Sequence, residues 1–226
     1  MLFARRQIDQ LINPVGGGGG GGPSFANVQL LAHFDNNLTD SAGKTSLTND
    51  GTTFTGTAYI GTHALNVNNS GSNKVTMDNS NLVLSSGTDF CIELWCYIAS
   101  EATRNGAILK LGSGVFQFLC ELNGGSGFKP GLYQGAAFWT LPTNLSNNTW
   151  HNLALVRRSG TVYLYANGTS YTLGSDSSST VNSGSMIGTN GSENFPGYLD
   201  ELRITIGEPV YTAGEFTPSN DPFPEA

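Results

Sequence analysis

The sequence predicts an all-β fold, a sandwich or jelly roll of short strands, preceded by a short glycine-rich arm. Three observations predict it. Charged residues make up only 12% of the 226, against a usual ~25%, and Ser, Thr, Asn and Gly take their place. That balance suits short strands and many turns. Apolar residues then recur with a period of two from Val28 onward, and turn dipeptides such as Ser159-Gly160 and Asn167-Gly168 punctuate the runs.

The arm comes first, residues 1–24. Ile8, Leu11 and Ile12 fall at helical spacing, with Leu2 and Phe3 behind them, and Pro14 ends the pattern. Two or three turns of isolated helix are marginal in water, so this apolar face needs a partner. Gly16 to Gly22 follow. A glycine run loses much conformational freedom on ordering and buries nothing, so it reads as a tether. Extended, seven residues reach at most about 25 Å. The expected reading is a docking peptide, Leu2, Phe3, Ile8, Leu11 and Ile12, on a leash; a frayed terminus is the alternative.

The body spans residues 25–226. Val28–Phe34 reads as a first strand. Phe90, Ile92, Leu94, Cys96 and Ile98 alternate with Cys91, Glu93, Trp95 and Tyr97, a long strand with two distinct faces. Ala107–Leu111 and Val115–Leu122 flank Gly112-Ser113-Gly114, a hairpin signal. Trp150–Arg157 and Thr161–Ala166 form another pair, and Tyr198–Ile206 closes the body. About a dozen short strands with no helix after residue 13 predict a sandwich or jelly roll.

The formal net charge is −7; Arg5 and Arg6 against Asp9 give the arm +1, so the body carries −8. An acidic body with no basic stripe argues against nucleic acid and anionic lipid as partners. Cys91, Cys96 and Cys120 are odd in number and lack metal-site spacing. Cys91 and Cys96 fall on opposite faces of one strand, so reduced, semi-buried thiols and synthesis in a cytoplasm are expected. The first residues lack the apolar stretch of a signal peptide, and no run approaches the ~20 apolar residues of a membrane span.

Four stretches in order carry a resemblance: FCIELWC from Phe90, WHNLALVR from Trp150, VYLYANG from Val162 and GYLDELRI from Gly197. Together they resemble the laminin-G-like, concanavalin A-type jelly roll, over about Val28 to Phe223. The ending from Tyr211 to Pro224 is similar to the tail of such domains in bacteriophage virion proteins, with Val210 and Ser219 departing from the Arg and Pro usual there. The resemblance implies two antiparallel sheets with loops carrying any binding function, and a tail pinned by Tyr211, Phe216 and Phe223. Such jelly rolls often hold one Ca2+ ion, and Asp40 and Asp200 match positions of its oxygen ligands. The alternative is Asp40 as a turn former and Asp200 as a hydrogen-bonded strand residue.

Catalytic machinery is not legible. Paired carboxylates for glycoside hydrolysis would have to share a face, and Asp200 and Glu201, adjacent on a strand, are expected on opposite ones. Of the histidines, His151 is expected to be structural. Sugar binding needs exposed rings beside polar groups; Tyr133 and Trp139, in the stretch from Gly131 to Thr140, are the candidates, with a sheet-filling strand pair as the alternative. The function expected is a non-enzymatic phage virion structural protein, a capsid decoration, head-fibre or tail-associated adhesion module. Its arm plugs into other virion proteins, homo-oligomerisation (a trimer) fits, and the jelly roll displays a host-glycan site. A free-standing lectin is the alternative.

Overall fold

The computed structural model describes residues 22–67, 73–78, 80, 82–99, 105–112, 116–122, 126–135, 137–180, 183–212 and 214–225. Leu2, Phe3, Ile8, Leu11 and Ile12 lie outside the described residues. Fifteen strands and one 3-10 turn, Phe25–Asn27, are formed among those described. None of the described residues makes a helix long and apolar enough to cross a membrane.

The strands are β1 (Val28–Ala32), β2 (Ser46–Asp50), β3 (Thr53–Thr55), β4 (Ala64–Asn66), β5 (Lys74–Asp78), β6 (Phe90–Ile98), β7 (Gly106–Leu111) and β8 (Phe116–Leu122). They continue with β9 (Phe128–Gln134), β10 (Ala137–Thr140), β11 (Trp150–Arg158), β12 (Thr161–Ala166), β13 (Thr169–Ser175), β14 (Ser185–Ile187) and β15 (Gly197–Ile206). An eight-stranded sheet runs β13-β12-β11-β6-β15-β4-β3, with β1 also on β15; a seven-stranded sheet runs β10-β9-β8-β7-β14-β5-β2. Every pairing between named strands is antiparallel. The fold is the expected two-sheet jelly-roll sandwich.

The period-two pattern is what places the core. On β6, Phe90, Ile92, Leu94, Cys96 and Ile98 face the opposite sheet, where Phe116, Phe118 and Cys120 of β8 and Leu132 of β9 meet them. The other face of β6 turns outward: Cys91 joins Ala154, Val156 and Tyr165 in a smaller cluster. Cys91 and Cys96 are therefore on opposite faces, and all three thiols are free and buried. Burial pushes each of them up from the ordinary thiol value.

The tail crosses the outside of the eight-stranded sheet as a strap. Val210, Tyr211 and Phe216 cover the Cys91 cluster, with Tyr211 and Phe216 stacked at 3.9 Å. Phe223 lies under the guanidinium of Arg203 at 4.2 Å. The expectation that Tyr211, Phe216 and Phe223 pin the tail holds. One turn is built to receive it. Asn167 and Gly168 both have positive φ (50° and 85°), the two-residue hairpin geometry that follows strand twist. Phe216 N donates to Gly168 O, and a Cβ at 168 would fall 1.8 Å from Phe216 O, so only glycine fits beneath the strap.

Candidate functional site

The outer face of the seven-stranded sheet carries the aromatic hairpin that the sequence singled out. On β9, Leu132 enters the core, so Tyr133 faces out. On β10, Trp139 packs against the core, so Phe138 faces out, and at 44% exposure it is one of two exposed large apolar side chains among the described residues. The register sets Phe138 opposite Tyr133, Tyr133 opposite Gln117, Gln117 opposite Lys110, and Lys110 opposite Met186. Directly opposed residues on one face have Cβ atoms about 5 Å apart, so this is one continuous row.

A loop from β14 to β15 folds over the polar end of that row. Asn190 Nδ2 donates to Gln117 Oε1 (2.7 Å) and to Glu193 Oε2 (3.0 Å), and Lys110 Nζ donates to Asn190 O at 3.3 Å. Ser192 N and Glu193 N donate to Asn190 Oδ1 at 2.9 and 2.8 Å, which fixes the turn. Two rings thus stand beside an amide cluster, an ammonium and a carboxylate. Ring faces take the apolar face of a sugar, and the polar groups take its hydroxyls.

The ring of Trp139 is placed differently from its expected glycan-facing role. It lies inward at the open side of the sandwich, where a Cβ on Gly174 of β13 would come within 2.8 Å of its Nε1. It closes the gap between the two sheets, so the strand-pair alternative describes Trp139, while Phe138 supplies the outward ring. Sequence missed Phe138 because β10 is only four residues long, too short for a pattern of its own to say which residue faces out.

The profile of the laminin-G type, described as the concanavalin A-like lectin/glucanases superfamily, matches residues 69–206. The chain belongs to this superfamily. No curated protein matches it. Among solved structures, domain 4 of AbnA, a GH43 extracellular arabinanase from Geobacillus stearothermophilus in complex with arabinotriose, is similar at TM-score 0.63 and 20% identity, covering 82% of this chain and 94% of that one. The binding domain of botulinum neurotoxin serotype D is similar at TM-score 0.57 and 16% identity, over 82% of this chain and 49% of that one. A type C botulinum neurotoxin structure, titled for cell entry dependent on two ganglioside molecules, gives TM-score 0.58, 15% identity and coverages of 80% and 48%. The chain therefore spans about half of each toxin structure.

In this concanavalin A-like domain the expected calcium ligands are committed to different loops. Asp40 Oδ1 accepts from Leu31 N and Ala42 N, and Oδ2 from Lys44 N and Thr45 N, all at 2.8 to 2.9 Å. Four backbone donors make it a turn former. Asp200 Oδ2 accepts from Tyr59 N (2.9 Å) and Ile60 N (3.0 Å). No group of three His, Cys, Asp or Glu among the described residues gathers as a metal site.

One separation expected from strand alternation fails. β15 shifts register between Asp200 and Arg203, and Glu201 sits at φ 51°, a bulge. Leu202 enters the core, while Asp200, Glu201 and Arg203 all serve the outer face. Glu201 Oε2 accepts from Phe223 N of the strap at 2.8 Å, and its carboxylate holds His33 Nδ1. The two adjacent carboxylates therefore share a face. Both are buried, and each is already hydrogen-bonded.

Burial, aided by the nearby charges of Glu201 and Asp35, pushes Asp200 up to about 7. His33, bonded to Glu201 and 3.3 Å from Glu225, is also raised, chiefly by the Glu201 hydrogen bond. It lines a groove of about 570 Å³ between His33–Ser41 and Pro222–Glu225, whose Asp35 is taken by Thr62 and His63 N–H groups. Both shifts favour the protonated folded state. The Asp200 contribution is complete below its unfolded 3.8 and is lost as pH rises to about 7. That of His33 is complete below 6.5 and is lost as pH rises through its higher folded value. His151, lowered by burial, acts with the opposite sign below 6.5, so the comparison is between variant and wild type: Asp200→Asn is expected to remove a fall in melting temperature between pH 5 and pH 7. An unaltered slope in the variant would refute the assignment.

His151 has its expected structural role. Nε2–H donates to Ser146 O at 2.9 Å, Asn167 Nδ2 donates to Nδ1 at 2.9 Å, and burial lowers its pKa. The neutral ring joins the 146 loop to the Asn167-Gly168 turn.

Proposed function

We propose that the chain is a non-catalytic glycan-binding module of a bacteriophage virion, anchored by residues 1–24 and displaying the jelly roll outward. The observation that carries the binding reading is the outward Tyr133–Phe138 pair beside Gln117, Lys110, Asn190 and Glu193. The arabinotriose in the AbnA domain structure and the gangliosides of the type C toxin favour a saccharide as the ligand of this superfamily member too. The virion reading is supported by the tail from Tyr211 to Pro224 and by the arm, whose apolar stripe and glycine leash suit insertion into other virion proteins. It carries with it assembly in the host cytoplasm and a homo-oligomer, a trimer being one closed symmetry that fits.

A glycan array identifies the ligand, and calorimetry on the best hit tests the site. Phe138→Ala and Tyr133→Ala are each expected to weaken binding about tenfold or more, because truncating a central aromatic anchor commonly costs ~2 kcal/mol. Unchanged affinity in both variants would remove the platform. The arm is tested by comparing full-length protein with protein lacking residues 1–24. Loss of oligomerisation and particle incorporation is expected; no change in either favours the free-standing lectin.

A further inference from the structure

The strap leaves one end of the eight-stranded sheet's outer face uncovered by its own aromatic residues. There the register aligns Trp150 with Tyr97, Tyr97 with Tyr198, and Tyr198 with Asn66. The next row aligns Asn152 with Trp95 and Trp95 with Asp200. Tyr97 lies 5.6 Å from Trp150 and 5.4 Å from Tyr198, ring centre to ring centre. Tyr59, 36% exposed on the β3–β4 loop, lies nearly parallel on Trp95 at 3.6 Å.

Three acceptors among these rings have no hydrogen-bond partner: Asn152 Oδ1, Asp200 Oδ1 and Asn66 Oδ1. Asn152 and Asp200 are 3% and 0% exposed. A buried acceptor without a donor costs about 1–3 kcal/mol, so three around one ring cluster ask for an explanation.

We propose that this end of the sheet is a second saccharide site, in which a neutral sugar ring takes the place of Tyr59 on Trp95 and donates hydroxyls to Asn152 and Asp200. The Tyr97–Trp150–Tyr198 rings form its floor. The chemistry selects the ligand. An apolar protein surface would leave the acceptors orphaned, while a sugar brings both an apolar face and donors. The two rows contain no Lys or Arg and do contain Asp200, in a body of negative net charge, so an anionic glycan is disfavoured. Tyr59 is suited to leave, because its side chain holds one exposed hydrogen bond, from its OH to Asn220 Oδ1. Its backbone N–H can keep Asp200 Oδ2 while the ring swings away.

This site is separate from the Phe138 platform and does not depend on it. The test follows the indole N–H resonances of the three tryptophans in full-length protein, titrated with cellotetraose, xylotetraose and galactotetraose. Trp95 and Trp150 are expected to shift and Trp139 to stay. The shifts persist in Phe138→Ala, tighten about tenfold in Tyr59→Ala, whose competing ring is gone, and weaken in Tyr198→Ala. Tyr59 is on the surface, so its variant keeps the fold. Still Trp95 and Trp150 resonances in Tyr59→Ala with about 10 mM of every sugar would overturn the proposal. So would shifts abolished by Phe138→Ala, which would report the other face.

Discussion

Replacing Arg157 with methionine is expected to cost about 3–5 kcal/mol of folding stability. Arg157 is fully buried and points to the core side of β11, in phase with Leu153 and Leu155. It closes one end of the sandwich by collecting loops. Nε donates to Thr88 O (2.7 Å), Nη1 to Asp176 Oδ2 (2.8 Å) and Ser178 O (2.7 Å), and Nη2 to Ser85 O (2.8 Å). Its guanidinium also stands 5.0 Å over the Phe90 ring. Methionine keeps the apolar stem but takes the donor from Asp176 Oδ2, leaving that carboxylate only the Ser178 N and Oγ bonds on Oδ1, and from three carbonyls. Lysine is expected to rescue little, because one ammonium cannot serve a fan of four acceptors. Urea unfolding measures the loss; a change below about 1 kcal/mol would mean that the loops hold without this plug.

The second large effect is expected at Arg203→Met, again about 3–5 kcal/mol. Glu93 is fully buried on the outer face of β6, held by Arg203 Nε and Nη2 at 2.8 Å and by Tyr211 OH at 2.5 Å. Removing Arg203 leaves that carboxylate with only two neutral donors, Tyr211 OH and the weak Cys91 thiol, and Phe223 loses the cation above its ring. The strap should loosen as well. Cys91, 3.8 Å from Glu93 Oε1 and covered by Val210 and Tyr211, should then react with a thiol reagent that leaves the wild type untouched. Glu93→Leu combined with Arg203→Met should recover much of the stability, since a well-packed apolar pair can replace a buried ion pair. A double variant no more stable than the single one would show that Arg203 acts through packing alone.

Much of the sandwich was legible because its strands obey alternation. The faces of β6 follow directly from Phe90 to Ile98, and the Asn167-Gly168 turn follows from the backbone those two residues tolerate. Alternation misled at Asp200 and Glu201, where a bulge that no residue pattern announces returns both carboxylates to one face. It was silent at β10, where a short edge strand gives Phe138 the outward place and turns Trp139 inward. Arg157 escaped notice because a charge in phase with core leucines reads as a strand end until the loops that surround it are placed. Asp40 shows the converse: its turn-forming alternative was readable from the Asp-Ser-Ala-Gly context, where four backbone N–H groups meet the carboxylate.

The central claim is that the outer face of the seven-stranded sheet receives a glycan. Hydrogen exchange of the full chain, with and without the best glycan from the array, tests it most directly. Slower exchange at residues 131–135, 137–140 and 189–194 is the result expected; no change in those segments would contradict it.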